Sequence, residues 1–160
     1  MNEDNLNNFA ISEEMYSWIC DNIPFKSTIL EFGSGTGTIE LTNHYTVYSV
    51  EQNIKYVGVA EDSNYIHAPL IGGWYNTEIV FNNIPKNYDL LLIDGPVGSN
   101  YRNNIKHYWD KFNTNIPIIF DDTHRYPELK LAQESAKLLN KNISIVEGHQ
   151  KSFGLMLLLP

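Results

Sequence analysis

The chain has 160 residues, a formal net charge of −8, a sequence pI near 5.0 and 42% apolar residues. This length is typical of one domain with a buried core, and we expect a single domain over residues 1–160. The acidic balance argues against a nucleic-acid partner, because phosphate backbones are usually met by clustered Lys and Arg.

The amino-terminal sequence MNEDNLNNFA lacks the basic and apolar regions of a signal peptide. No apolar run approaches the ~18 residues of a membrane span. The single cysteine, Cys20, excludes an internal disulfide framework. These features predict a cytoplasmic protein without a membrane partner, and they leave the oligomeric state open.

Residues 1–25 are predicted to form an N-terminal helical segment. Ser12 is a suitable helix cap, and Glu13 and Glu14 favour the positive end of the helix. Pro24 is expected to end it.

From residue 28 to 159, apolar strands alternate with helical patterns. The predicted strands are STILEF (27–32), TVYSVE (46–51), NYIHAPL (64–70), YDLLLID (88–94), IPIIFDD (116–122), ISIVE (143–147) and GLMLLL (154–159). Helices are predicted over 38–45, 100–112 and 127–140, and a short helix or turn over 52–60. Apolar strands of this kind predict a parallel sheet covered on both faces. The last two strands are joined by only GHQKSF, which is too short for a crossover helix, so they must pair antiparallel.

A glycine-rich loop follows the first strand in ILEFGSGTG. Ligands bind at the carboxyl ends of such strands, where glycine permits positive φ and close backbone approach. In the dinucleotide fingerprint G-x-G-x-x-G the third glycine comes one residue later than Gly37 does here. Glu31, just before the loop, would repel a pyrophosphate and suit a cationic ligand. A glycine-rich turn without a ligand is the alternative.

Glu51 closes the second strand, where a carboxylate can bind both ribose hydroxyls of a nucleoside ligand. The alternative is a solvated acid at the end of a strand.

Four features occur together in this sequence: E-x-G-x-G-x-G after a strand, an acid closing the next strand, DLLLIDGP, and a terminal antiparallel hairpin. In this combination the sequence resembles a class I S-adenosylmethionine-dependent methyltransferase. The resemblance implies a Rossmann-like, doubly wound α/β sheet, mostly parallel with an antiparallel C-terminal hairpin, in the order 3-2-1-4-5-7-6. It also implies S-adenosylmethionine as cofactor, with Glu31, Gly33 and Gly35 at its methionine part, Glu51 at its ribose, and a segment that includes His67 and Ala68 beside its adenine. Ser34, Gly37, Gln52 and Asp94 complete the cofactor-binding set that it implies.

The blocks YSVE, YIHAPL, GGWY and LLLIDGP are similar to a narrower group, the polysaccharide-type O-methyltransferases related to glucuronoxylan 4-O-methyltransferase. This resemblance implies that the methyl acceptor is a hydroxyl group of a small molecule or a saccharide.

Three carboxylates follow two neighbouring strands of the predicted sheet. Asp94 closes the fourth strand, and Asp121 and Asp122 close the fifth. Adjacent strands lie about 5 Å apart, so these groups could converge and hold Mg²⁺ or Mn²⁺. The arrangement is similar to that of catechol-type metal-dependent O-methyltransferases. Alternatively, Asp94 holds the methionine amino group or caps the next helix, and Asp122 or Thr123 caps the helix that starts at Pro127.

Proton transfer from a hydroxyl acceptor needs a base, for which Asp94 and His124 are the candidates. His124 and Arg125 follow the acidic pair and could face the same cleft, although a surface histidine is an equal alternative. Trp74 and Tyr75 either stack on a substrate ring or anchor the core.

The sequence therefore predicts an S-adenosylmethionine-dependent O-methyltransferase. An NAD(P)-dependent oxidoreductase on a similar sheet is one alternative. A methyltransferase-like domain that binds a cofactor or partner without catalysis is the other.

Overall fold

The computed structural model describes residues 11–157. Residues 1–10 of the predicted N-terminal segment and residues 158–159 of the predicted last strand lie outside this range. Helix α1 (Glu13–Asn22) begins as predicted, with the Oγ of Ser12 accepting a hydrogen bond from the amide of Met15 at 3.2 Å. The helix ends at Asn22, and its C-cap residue Ile23 directly precedes Pro24.

The remaining elements follow in alternation. The strands are β1 (Thr28–Phe32), β2 (Thr46–Glu51), β3 (Asn64–His67), β4 (Leu70–Ile71), β5 (Trp74–Tyr75), β6 (Leu90–Ile93), β7 (Ile118–Phe120), β8 (Ile143–Glu147) and β9 (Ser152–Met156). The helices are α2 (Thr36–Thr42), α3 (Thr77–Asn83), α4 (Ser99–Arg102) and α5 (Tyr126–Leu138), with a 3-10 helix over Asn103–Lys111 directly after α4.

Seven strands form one sheet in the order β3-β2-β1-β6-β7-β9-β8. Neighbours from β3 to β7 are parallel, and β9 is antiparallel to both β7 and β8. Because β4 and β5 pair with each other in a separate hairpin, this order confirms the predicted 3-2-1-4-5-7-6. Phe32 is in register with Val50 and Ile93, and Ile93 with Phe120, so the residues that follow these strands meet at one edge.

The two faces of the sheet are covered by different helices. Leu91 and Ile93 belong to a buried cluster with residues of α3, the 3-10 helix and α5, whereas Leu90 and Leu92 pack in a second cluster with residues of α1 and α2. Alternate residues of a strand point to opposite faces, so fully apolar strands are what such a doubly covered sheet requires.

Several local predictions differ from the structure. Helix α3 and the β4–β5 hairpin were not predicted, and α2 begins two residues earlier than predicted. Of the two forms predicted for residues 52–60, a short helix or a turn, the structure has the turn. The predicted helix over 100–112 is mostly 3-10. Trp74 and Tyr75 are core anchors, since both are fully buried with ring centroids 5.5 Å from that of Phe32.

Within residues 11–157, none of the helices combines the length and the apolar character needed to cross a bilayer.

Candidate functional site

Gly33 carries the loop across the end of β6. Its φ is 93°, and a Cβ there would lie 3.0 Å from both the carbonyl carbon and the carbonyl oxygen of Asp94. Its amide donates to the carbonyl of Val50 at 2.9 Å. Both the positive φ and the close approach require glycine at this position.

The other two glycines of the loop have different roles. Gly35 precedes α2, and its amide donates to the Oγ1 of Thr38 at 3.1 Å. A Cβ on Gly37 would lie 2.8 Å from the amide nitrogen of Ile11. Gly37 therefore permits close packing beneath the start of the described chain, and it lies outside the cavity described below.

Glu31 lies beneath the loop, with 3% of its surface exposed. Its Oε1 accepts hydrogen bonds from the hydroxyls of Thr38 at 2.7 Å and Ser49 at 2.5 Å. Burial raises the pKa of Glu31 to about 7, although these two hydrogen bonds oppose the shift. Glu31 therefore supports the loop from within the protein and does not line the cavity.

Glu51 joins the end of β2 to the glycine loop. Its Oε2 accepts from the amide of Ser34 at 3.1 Å, and its Oε1 accepts from the amide of Asn53 at 2.7 Å. The residue is only 4% exposed, and burial raises its pKa. The alternative of a solvated acid at a strand end is therefore wrong.

A cavity of about 180 Å³ opens at this edge of the sheet. It lies among the glycine loop, the segments after β2, β6 and β7, the start of α4 and the start of α5. Its lining residues are Gly33, Ser34, Glu51, Gln52, Tyr56, Asp94, Gly95, Val97, Gly98, Ser99, Arg102, Asp122, Arg125, Glu128 and Lys151. Five of the predicted cofactor-binding residues, Gly33, Ser34, Glu51, Gln52 and Asp94, thus meet around one space.

His67 and Ala68 lie beside this cavity rather than on its wall. The amide of Ala68 donates to the carbonyl of Glu51 at 2.9 Å, and the Nε2 of His67 lies 3.2 Å from the carbonyl oxygen of Gln52. Sequence reasoning missed Tyr56, which does line the cavity, because it lies in a turn whose path the sequence pattern did not predict.

The three predicted metal ligands do converge. One carboxylate oxygen from each of Asp94, Asp121 and Asp122 lies within 4.8 Å of the others. Asp121 is 1% exposed, and its Oδ1 accepts from the amide of Asp122 at 2.7 Å. Burial raises the pKa of Asp94 and of Asp121, and the charge of Asp121 raises that of Asp94 further.

Three basic side chains, of which sequence reasoning considered only Arg125, surround these carboxylates. The Nζ of Lys151 lies 2.6 Å from the Oδ2 of Asp121. The Nη2 of Arg102 lies 3.5 Å from the Oδ1 of Asp94 and donates to the Asp94 carbonyl at 2.5 Å. Arg125 pairs with Asp122. Lys151 and Arg102 belong to distant parts of the chain, and no local pattern in the sequence connects them with the acids.

The segment before α5 places Arg125, the N-cap residue of that helix, at the cavity, but not His124. His124 is exposed and does not line it. Glu128 does, with 3% exposure, and its Oε1 accepts from the hydroxyl of Ser99 at 2.7 Å. Among the described residues, the Oε2 of Glu128 and the Nε of Arg102 are buried without a hydrogen-bond partner. Both residues line the cavity.

No protein-family model matches this sequence, and no curated protein matches it significantly. Solved structures do match in fold. A putative caffeoyl-CoA O-methyltransferase from Staphylococcus aureus has a TM-score of 0.65 at 12% identity, covering 96% of this chain and 88% of that chain. The chain has the methyltransferase fold.

Other structures with this fold differ in what their names say they act on. An rRNA methylase from Streptococcus thermophilus has a TM-score of 0.57 at 11% identity and covers 92% of this chain and 95% of that one. Magnesium protoporphyrin IX methyltransferase from Synechocystis PCC 6803, solved with bound S-adenosylmethionine, has a TM-score of 0.51 at 13% identity, covering 90% and 75%. The methyltransferase fold therefore does not fix the acceptor, and it does not exclude nucleic acid.

Proposed function

We propose that this protein transfers a methyl group from S-adenosylmethionine to a hydroxyl group of a small molecule or saccharide, in the cavity at the end of β1, β2 and β6. One observation carries the proposal. The buried carboxylate of Glu51 is bonded to the glycine loop through Ser34, and both line the same space as Asp94.

Glu51 is suited to hold the ribose. Each carboxylate oxygen can accept two hydrogen bonds, and the amides of Ser34 and Asn53 each use one site. One acceptor site on each oxygen remains for the two ribose hydroxyls. The Oε1 of Gln52, also buried without a partner among the described residues, adds a third acceptor beside them.

One acidic group favours a sulfonium cofactor over a dinucleotide. Arg102, Arg125 and Lys151 line the cavity too and pair with Asp94, Asp122 and Glu128. Glu51 forms no ion pair among the described residues and lies at the glycine loop, where its carboxylate would repel a pyrophosphate. This distribution supports S-adenosylmethionine against the NAD(P) alternative.

The enclosed space holds only part of such a cofactor. Its volume of about 180 Å³ is below the ~300–1,000 Å³ of typical ligand pockets. The adenine would then extend beyond the cavity, and His67 and Ala68, next to Glu51 in the sheet, are the residues that we propose lie beside it.

Asp94 is the proposed proton acceptor for the hydroxyl. S-adenosylmethionine supplies an activated methyl group, so the protein's tasks are alignment and proton removal. Asp94 lies next to Gly33 and lines the cavity, and burial raises the pKa of its carboxyl group, which makes the carboxylate a stronger base toward the hydroxyl proton. Glu128 and Ser99 offer a hydrogen-bonding wall for a hydroxyl-rich acceptor.

A methyl-transfer assay tests this function. The protein is incubated with methyl-labelled S-adenosylmethionine and separate pools of saccharides, phenols, RNA and protein. We expect label in a saccharide or phenol pool and its loss with Asp94→Asn, while Asp89→Asn, at the opposite end of β6, retains activity. Label in RNA or protein alone would contradict the proposed acceptor, and cofactor binding without transfer to any pool would favour the non-catalytic alternative.

A further inference from the structure

The acidic centre formed by Asp94, Asp121 and Asp122 already contains a cation. The Nζ of Lys151 lies 2.6 Å from the Oδ2 of Asp121 and 3.6 Å from the Oδ1 of Asp122. Its side chain is 16% exposed, compared with 57% for Lys111, whose partner Asp110 lies on the surface. The side chain of Lys151 is thus largely buried within the acidic centre and is not a surface group.

A divalent ion does not fit beside this ammonium. Mg²⁺ needs oxygen ligands at about 2.0–2.1 Å in near-octahedral geometry. The Oδ1 of Asp121 accepts a hydrogen bond from the amide of Asp122, and the Oδ2 of Asp121 accepts one from the Nζ of Lys151. An ion that used Asp121 would have to displace one of these donors, and it would repel the ammonium a few ångströms away.

The charges of the centre are balanced without a metal. Arg102 lies 3.5 Å from Asp94 and 3.7 Å from Asp122, and Arg125 pairs with Asp122. Three carboxylates therefore face three basic groups, two of which, Arg102 and Lys151, are largely buried. Buried charges are tolerated when they are paired in this way.

We infer that the ammonium of Lys151 occupies the place of a divalent ion at this centre and makes the protein independent of metal. Lysine suits this task because its head group is a compact point charge with three donors. Its Nζ donates a hydrogen bond to Asp121 at 2.6 Å and forms an ion pair with Asp122 at 3.6 Å. Since Lys151 also lines the cavity, a further donor of the ammonium can serve an acceptor oxygen, as a metal would.

Manganese binding tests this inference without any cofactor or acceptor, so its outcome is independent of the proposed methyl transfer. Free Mn²⁺ is measured by electron paramagnetic resonance with the parent, Lys151→Ala and Lys106→Ala. Lys106 is the matched control because, among residues 11–157, it forms its ion pair with Glu134 and with none of the three acids of the centre. We expect no specific binding to the parent or to Lys106→Ala.

Lys151→Ala removes the charge that competes with the ion. It should bind one Mn²⁺ per chain at least ~10-fold more tightly than the parent, because an ammonium and a divalent ion 4 Å apart repel by ~2 kcal/mol even in water, more than the ~1.4 kcal/mol of a tenfold change. Mn²⁺ should then raise the thermal midpoint of this variant only. Lys151→Met, which keeps the packed stem and removes the charge, repeats the test if Lys151→Ala fails to fold. Specific Mn²⁺ binding to the parent, or its absence from both Lys151 variants, would overturn the inference.

Discussion

The carboxylate of Glu51 accepts a hydrogen bond from the amide of Ser34 at 3.1 Å, which joins the end of β2 to the glycine loop after β1. The same side chain accepts from the amide of Asn53 at 2.7 Å. One buried residue thus bonds to the loop and lines the cavity, so we expect both loop geometry and ligand binding to depend on it.

Glu51→Ala is expected to weaken S-adenosylhomocysteine binding by ~1.5–3 kcal/mol, since charged hydrogen bonds to the ribose are lost. It should also lower the free energy of unfolding by ~1–3 kcal/mol, because two amides lose their acceptors. Calorimetric titration and urea unfolding measure the two effects. Asp89→Ala is the control, since the Oδ2 of Asp89 accepts from the amide of Thr28 at 2.9 Å at the opposite end of the sheet. Equal binding by both variants would exclude the ribose role.

Glu31 should make stability depend on pH. Burial holds its pKa at about 7 in the folded protein, against 4.5 in the unfolded chain. The folded state therefore keeps a proton that the unfolded state releases, and the stabilisation present below pH 4.5 is lost as the pH rises to about 7. Glu31→Gln keeps an acceptor for Thr38 and Ser49 but does not ionise. The free energy of unfolding of this variant, minus that of the parent, should therefore rise by roughly 3 kcal/mol between about pH 4.5 and 8. Parallel pH profiles from urea unfolding would show that Glu31 ionises normally.

Gly33 and Gly37 should respond differently to the same substitution. Gly37→Ala places a Cβ against Ile11 and should cost ~1–3 kcal/mol of unfolding free energy by overpacking, with cofactor affinity unchanged in the folded fraction. Gly33→Ala has a φ of 93° to accommodate and presses on Asp94, so S-adenosylhomocysteine binding should fall as well. Thermal melts and titrations of both variants separate packing from binding. Loss of affinity in Gly37→Ala would place Gly37 at the ligand after all.

Asp94 and His124 can be separated by cofactor binding. Asp94→Asn should weaken S-adenosylhomocysteine by ~1.5–3 kcal/mol if the carboxylate holds the methionine amino group. His124→Ala should change binding by less than ~0.5 kcal/mol, because the side chain is exposed and outside the cavity. Unchanged binding by Asp94→Asn would mean that Asp94 acts only on the methyl acceptor and does not hold the cofactor. Weakened binding by His124→Ala would contradict the exposed position described for His124.

The strand order was predictable because it depends on strong patterns. Four-residue runs such as Leu90–Ile93 are apolar throughout and are buried on both faces, and a six-residue connection leaves no room for a helix. The strand order determines which strand ends meet at one edge of the sheet, which is why Asp94, Asp121 and Asp122 were expected near one another.

Helix α3 and the β4–β5 hairpin were missed although the sequence contains their signals. The Oδ1 of Asn76 accepts from the amides of Glu78 and Ile79, as a helix cap does, and Gly72 and Gly73 both adopt positive φ between two short strands. Both elements were therefore predictable from the cap at Asn76 and the turn at Gly72 and Gly73.

The contacts of Arg102 and Lys151 with the acidic centre could not be predicted from local sequence patterns. Lys151 precedes β9, and Arg102 ends α4, so they meet Asp121 and Asp94 only through the tertiary arrangement. No spacing in the sequence encodes such contacts. The sequence predicted that the three carboxylates of the centre converge, and they do. Metal binding by them stays a prediction, and the position of Lys151 leads us to expect that its ammonium takes the place of the ion.

Ligand choice tests the central claim most directly. S-adenosylhomocysteine and NAD are titrated side by side into the parent protein, with the thermal midpoint and the heat of binding recorded for each. We predict that S-adenosylhomocysteine binds with one site per chain and, at 100 times its Kd, stabilises the fold by ~2.7 kcal/mol, while NAD has no effect. Stabilisation by NAD without binding of S-adenosylhomocysteine would contradict the methyltransferase account.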